Sequence, residues 1–442
     1  MLSSLRERRF LMDSQQFEVI HPLCAGLDVH KKSVVAAVCT SDPVTLTASY
    51  KTKVFNTTNS DIAALRDWLL AQDCRDVCME STGKYWIPIF NILEPHMHVV
   101  LTHPKYVKAI KGKKTDKRDA KWIANLFRFD IVKASFIPPA DIRALRELSR
   151  YRLKLSYMRT AEKNRYQNSM TISRIRIDCV LTDPFGLSAT RIMDYLLSDE
   201  PFDEAKCRSL IDHRVKASQD EVMDAVHGYR ILEEQRFKMT LAKAHMDFIN
   251  RSIDEIEAEL FLRSRQYDVQ IKRIATVTGI TELSALFILS EIGADMSVFE
   301  SDRHLCSWAG LTPANNESAS KKKSTKCSKA GQYLKPLLIQ CALAAVKSKK
   351  EPYFASKYQR IAKRRGKKKA IIAIARMMLT SIYHMLSNGE DFHPDDYETT
   401  INPSKQKPVV LTLDNTLRFL REQGADPETL KLIQQQCAAQ TG

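Results

Sequence analysis

The hydrophobic period of this chain changes near residue 140, and that change limits what the chain can fold into. Before it, short apolar runs of period two exchange with stretches of period 3.6, as strands exchange with helices. Residues 22–40 alternate apolar and polar side chains, are rich in β-branched residues and contain a His30-Lys31-Lys32 turn, so they predict a β-hairpin. A third strand is expected over 44–55 (VTLTASYKTKVF), followed by Asn59-Ser60-Asp61 as the cap of a helix through IAALRDWLLAQ. A strand over 76–80 ends at Glu80, a helix places Trp86, Ile89, Phe90 and Leu93 on one face, and HVVLTH forms the next strand. The order βββαβαβα, continuing to about residue 138, predicts an α/β sheet of mixed direction with its acids near one end.

From Asp141 to about Ile177 the segment RALRELSRYRLKLSYMRTAEKNRYQNSM has no Pro or Gly and repeats Leu, Tyr and Met at helical spacing. A second helical stretch is expected from about Ser218 to Tyr267, weakened at Gly228. Joined by a Pro- and Asp-containing link over 178–217, the two predict an antiparallel stalk or coiled coil; an internal helical bundle fits the same pattern. IKRIATVTGITELSALFILSEIG (271–293) reads as two short helices around a VTGI turn, with Gly279 for the tight backbone and Gly293 as a helix stop. Such a helix–hairpin–helix can offer backbone N–H groups to phosphate, although a plain helical turn uses the same residues.

Charge narrows the partners. Residues 321–369 hold 17 Lys or Arg and one acid, Glu351, a surplus equal to the net charge of +16 of the whole chain. A concentrated basic segment favours a polyanion, most simply nucleic acid. Lys321, Lys322, Lys323, Lys326, Arg364, Arg365, Lys367 and Lys368 are the candidate phosphate contacts, and the interleaved Tyr333, Tyr353, Phe354 and Tyr358 are candidates to pack on sugars or bases. Ten cysteines are scattered, and Cys74 and Cys78 have no second pair to complete a zinc set, so reduced thiols in a cytoplasm are expected. No apolar stretch reaches a membrane span, and the basic N-terminus MLSSLRERRFLMDSQQ lacks a secretory core.

The chemistry rests on Asp28, Glu80, Asp116 and Asp119. Asp28 lies early in the hairpin, Glu80 closes a strand, and Asp116 and Asp119 are three apart in KTDKRDAKWIA, on one face if that stretch opens a helix. Carboxylates so placed suit a hard divalent cation for phosphodiester chemistry. The same residues also fit a turn-adjacent surface acid and acids that balance a helix dipole.

The motifs GLDVHKKSVVAAV, MESTGKYW, KTDKRDAKWIA and GLTPANNESASKKK, in this order, resemble the DEDD transposases of bacterial insertion sequences, the IS110 family of bridge-RNA-guided recombinases, over roughly residues 22–390. The resemblance implies a RuvC-like, RNase H-type α/β domain over 22–140, a helical coiled-coil linker over 141–267 and a mainly α transposase domain with the helix–hairpin–helix over 268–392, flanked by an extension (1–21) and a tail (393–442). It implies that Asp28, Glu80, Asp116 and Asp119 bind Mg²⁺ (or Mn²⁺) and that Ser318 attacks a DNA phosphate to form a covalent 5′-phosphoserine. It further implies donor and target DNA, a structured guide RNA and a homo-oligomer, dimer or tetramer, associated with the nucleoid. The family often has Gly two residues after this serine, where this chain has Ser320. Two other functions fit the residues: a junction-type DNA endonuclease using the four acids with water as nucleophile, and a non-enzymatic nucleic-acid-binding protein.

Overall fold

The computed structural model describes residues 18–81, 83–107, 115–198, 200–313, 316–318, 321–324, 326–402 and 413–439. The chain divides into two compact units, Met1–Pro139 and Ala140–Gly442. The expected extension over 1–21 lies outside the described residues up to position 17.

The first unit is built on a five-stranded sheet in the order β3-β2-β1-β4-β5. Its strands are β1 (Leu23–Val29), β2 (Ser33–Ser41), β3 (Ala48–Asn56), β4 (Asp76–Glu80) and β5 (His98–Thr102), and its helices are α1 (Asn59–Ala71), α2 (Trp86–Leu93), α3 (Pro104–Val107) and α4 (Asp116–Phe127). β1 pairs antiparallel with β2 and parallel with β4, so the sheet is of mixed direction, as expected. The third strand starts at Ala48, because Asp42 accepts from the Val44 and Thr45 N–H groups and holds that stretch in a turn. Thr58, one residue before the expected cap, accepts from the Asp61 N–H and starts α1.

The period of two decides the layers. Ala25, Leu27 and Val29 of β1 face Ile62, Leu65 and Leu69 of α1 and Ile89 and Leu93 of α2. On the opposite face Cys24, Cys39 and Cys78 pack under Ile123, Ala124 and Phe127 of α4. Each large apolar side chain so buried contributes about 1.5–3 kcal/mol. β1 is thus a central strand covered on both faces, and Asp28 is a carboxylate in an apolar strand, only 6% exposed.

Among the described residues the second unit is helical apart from one pair of short antiparallel strands. α5 (Ala140–Ile172) and α10 (Glu233–Arg263) run antiparallel: Arg152 reaches Glu257 (2.6 Å), Arg159 reaches Asn250 (3.0 Å), and Leu155 packs on Ile249 and Ile253. The stretch between them is a folded cap. α6 (Ile177–Val180), α7 (Leu187–Leu197), α8 (Glu204–Ser209) and α9 (Gln219–Asp224) enclose Ile177, Ile192, Met193, Leu196 and Val222 with Tyr166, Met170, Met239 and Met246 of the long pair. The expected single helix from Ser218 to Tyr267 is therefore interrupted. Gly228 takes φ +68°, and the Arg230 N–H donates to the Ser173 carbonyl (3.0 Å), which pulls the backbone out of helix until α10.

α11 (Asp268–Ala275) and α12 (Glu282–Ile292) form the expected hairpin, and Gly293 ends α12 with φ +79°. α13 (Asp302–Trp308), the strands β6 (Asn316–Ser318) and β7 (Lys321–Ser324), α14 (Leu334–Ala345), α15 (Tyr353–Arg365) and α16 (Lys367–Asn388) complete this part. α17 (Tyr397–Ile401), α18 (Leu413–Glu422) and α19 (Pro427–Ala439) follow. Glu291 of α12 is anchored to α5 by a bidentate pair with Arg150 (2.7 and 2.8 Å). Contrary to the expectation of no span-length stretch, α16 is long and apolar enough by length and composition to cross a membrane. Its stripe of Ala370, Ile374, Met378, Leu379 and Ile382 is buried within the unit, as the core helix of a helical bundle would be. The nine described cysteines are free thiols.

Candidate functional site

The sheet and one glycine bring the acids together. β1 and β4 are parallel neighbours with Leu27 opposite Met79, so the next residues along, Asp28 and Glu80, lie side by side at the carboxyl ends of their strands. Gly26 shares a face of β1 with Asp28, and α4 lies directly on it: a Cβ at residue 26 would fall 2.2 Å from the Ala120 carbonyl oxygen and 2.4 Å from the Ala124 nitrogen. Two residues along β1 is a step of about 6.6 Å, and one turn back along α4, from Ala120 to Asp116, is about 6 Å. The steps match, so a helix seated on Gly26 delivers Asp116 beside Asp28. Thr115 fixes where that helix starts, in extended conformation (φ −141°, ψ 145°) with its hydroxyl accepting from the Arg118 N–H. Asp119 follows on the same turn.

His30 completes the group. Its backbone N–H donates to the Ser33 carbonyl (2.9 Å) and closes the hairpin, while its ring turns back over the strand end. His30 Nε2 lies 3.3 Å from Asp28 Oδ2 and 3.7 Å from Asp116 Oδ1. One ligand atom from each of the three residues falls within 4.8 Å of the others. Asp28 Oδ2 and His30 Nε2 are both buried and have no hydrogen-bond partner. Burial pushes the Asp28 carboxyl above its ordinary value; His30 opposes the shift, and the charges of Asp119, Asp116 and Glu80 add to it. The other three acids thus add to the cost of charging Asp28, a cost that a bound cation would reverse.

These atoms fit a metal ion. Oxygen and nitrogen atoms bound to one ion at about 2.1 Å stand about 3.0 Å apart when adjacent and about 4.2 Å when opposite in an octahedron, and the 3.3 and 3.7 Å from His30 Nε2 fall between these. An unpartnered buried carboxylate oxygen is otherwise costly, by about 1–3 kcal/mol or more.

The expected nucleophile lies in the second unit. Ser318 ends β6, and its backbone pairs with Lys321 of β7, so Asn316–Ser318 form one strand of an antiparallel two-stranded sheet. The side chains of 314–325, with Lys321, Lys322 and Lys323 among them, and the whole of Ser320 lie outside the described residues. Lys326 is exposed, and Arg364, Arg365, Lys367 and Lys368 are exposed around Gly366 (φ +83°), where α15 ends and α16 begins. Three lysines open α16, the end where positive side chains oppose the helix dipole. Such a cationic corner suits phosphate.

For Tyr353 and Phe354 the aromatic part of that expectation is corrected. Tyr353 and Phe354 are buried in a cluster with Phe392 and Tyr397, and Tyr333 is covered by the Arg150 guanidinium 4.2 Å above its ring. Tyr353 and Phe354 are held by protein and are not base platforms. Gly279 also has a packing reason: a Cβ there would fall 2.6 Å from backbone atoms of Cys341 and Ala345 in α14. Sequence reasoning missed His30 and Gly26. The signals were an Asp-x-His pair at the end of one strand and a glycine inside a β pattern, which marks close backbone approach.

Known proteins share both ends of this arrangement. A DEDD transposase model of the IS110 type matches residues 25–173, and one described as transposase IS116/IS110/IS902 family matches residues 271–359. A probable family 20 transposase of Pseudomonas aeruginosa is 26% identical over 324 residues, covering 72% of this chain and 86% of that protein. The chain belongs to the IS110-type transposase family.

Proposed function

We propose that the protein is a DNA transposase that inserts and excises a mobile element by metal-dependent strand cleavage and exchange. The observation that carries this reading is the meeting of Asp28 and Asp116 at a buried carboxylate oxygen without a hydrogen-bond partner, with Glu80 and Asp119 near enough to act on the Asp28 charge. Asp28, Asp116 and, within the same electrostatic cluster, Glu80 and Asp119 would hold Mg²⁺ or Mn²⁺. When bound, the ion supplies charge that balances the pentavalent phosphorus and eases departure of the leaving oxygen. The mixed sheet order supports the RNase H-type, RuvC-like reading of this unit.

Ser318 is the proposed nucleophile. Its Oγ–P bond forms as the P–O3′ bond breaks; Oγ gives up a proton and the departing 3′-oxygen takes one. The phosphoserine keeps the energy of the broken bond, so a 3′-hydroxyl of the exchanged strand attacks the same phosphorus and regenerates the serine without a high-energy cofactor. A serine hydroxyl needs activation for this step, and the resemblance to the family implies that the acids of one subunit work with the serine of another. The exposed Tyr151, Met158, Phe237, Leu241 and Phe248 on the long helix pair support self-association in the manner of a coiled coil. Exposed Arg364, Arg365, Lys367 and Lys368 support binding to donor and target DNA and to a structured guide RNA.

Denaturing gels of labelled element-end DNA test the mechanism. The wild type should leave a covalent protein–DNA adduct that needs a divalent ion, Asp28→Asn should cleave nothing, and Ser318→Ala should leave no adduct. Cleavage by Ser318→Ala with free 5′-phosphate ends would instead favour water as nucleophile. Sequencing of copurified RNA tests guidance: a random transcript mixture would remove it from the proposal.

A further inference from the structure

We propose that His30 is a metal ligand, so that the centre is a mixed carboxylate–imidazole site that prefers Mn²⁺-type transition cations to Mg²⁺. The inference rests on the metal-centre reading above and adds to it a ligand that the four acids do not supply. Three observations carry it. The His30 ring is 44% exposed, yet its Nε2 is buried and points at the two carboxylates. That nitrogen has no hydrogen-bond partner, and neither does Asp28 Oδ2, on a residue only 6% exposed. The distances of 3.3 Å to Asp28 and 3.7 Å to Asp116 are those of donor atoms sharing one ion, and they are too long or too poorly aligned for hydrogen bonds.

The backbone keeps the nitrogen in place. His30 lies one residue past the end of β1 and two beyond Asp28, and the bond from its N–H to Ser33 fixes the residue at the mouth of the hairpin. As a ligand the imidazole is neutral, binding through Nε2 with its proton on Nδ1. Mg²⁺ takes oxygen ligands and dehydrates reluctantly, whereas imidazole nitrogen suits transition cations. Mn²⁺ accepts both donor types, so a site of carboxylates plus one nitrogen raises its affinity relative to Mg²⁺.

The test uses the full-length, tag-free protein with Mn²⁺ or Mg²⁺ alone as probe. Electron spin-echo modulation of bound Mn²⁺ should show a directly coordinated ¹⁴N. The coupling should vanish in His30→Ala and in His30→Gln, which offers an oxygen at similar reach. Calorimetry should show the ratio of Mn²⁺ to Mg²⁺ affinity falling about tenfold in His30→Ala, with Mg²⁺ affinity little changed. Circular dichroism confirms that each variant is folded. Bound Mn²⁺ without ¹⁴N coupling in the wild type, or coupling that persists in His30→Ala, would overturn the role of His30 while leaving the carboxylate centre standing. A wild type that binds neither ion at millimolar concentration would overturn the centre itself.

Discussion

Gly26 of β1 and Ala120 of α4 meet with no room for a methyl group: a Cβ on residue 26 would sit 2.2 Å from the Ala120 carbonyl oxygen. The obstructing atom is backbone and cannot rotate away, so any side chain at 26 must lift the helix that carries Asp116 and Asp119. Gly26→Ala is expected to destabilise the first unit by about 1–3 kcal/mol and to weaken Mn²⁺ binding at least tenfold. Urea denaturation and calorimetry on the same preparation check this. Wild-type ion affinity in Gly26→Ala would show that the acids do not depend on that approach.

The long helix α5 is fixed to α12 by a buried charge. Glu291 is 5% exposed and accepts both guanidinium N–H groups of Arg150, while Arg146 donates to the Ser290 and Glu291 carbonyls. Removing the acid leaves two guanidinium groups without their counter-charge in a desolvated place. Glu291→Ala should cost about 3–5 kcal/mol. Glu291→Gln, which keeps one acceptor, should cost less. The check is chemical denaturation of both variants, and near-wild-type stability of Glu291→Ala would refute the assignment.

Asp396 ties α17 to α15 and sets a pH dependence. It accepts from Lys357, from the Tyr353 hydroxyl (2.7 Å) and from Thr400 (3.2 Å). The Lys357 ammonium, with help from Tyr353 and Thr400, holds its carboxyl below the ordinary value of 3.8. A depressed carboxylate contributes stability that is present in full above that ordinary value and is lost as pH falls through the lower folded value. Acid should therefore loosen α17 below about pH 4. Hydrogen exchange over residues 397–401 should rise there in the wild type. In Asp396→Asn it should already be raised at neutral pH and change little on acidification.

Around Gly366 the basic residues act through charge and not through ring stacking. Replacing Arg364, Arg365, Lys367 and Lys368 with Ala should weaken binding to DNA and RNA of any sequence alike. The slope of log affinity against log salt should flatten by up to about 3–4 if every one of these side chains meets a phosphate. An unchanged slope would place the phosphate contacts elsewhere.

Much of the first unit was legible because its signals are local. The β-branched, apolar runs of β1 and β2, the acid closing β4 and the D-x-x-D spacing in α4 are each set by residue type and spacing within a short window, although β1 and β2 are buried on both faces where alternation with polar residues was expected. The cap over residues 173–232 was not legible: its short helices have weak individual periods and are held by Tyr166, Met170 and Met239 of the long pair. Tyr353 and Phe354 looked like nucleic-acid contacts because composition reports how near they are to lysines along the chain, not which way the helix turns them.

By itself the sequence determined the sheet-then-helix division and the concentration of charge, since each depends on periodicity or residue type within a short window, and it offered four candidate acids. Only the tertiary structure decided that Asp28, His30 and Asp116 meet. That meeting depends on how closely a helix ninety residues downstream can approach one strand, and the missing side chain of Gly26 sets that distance.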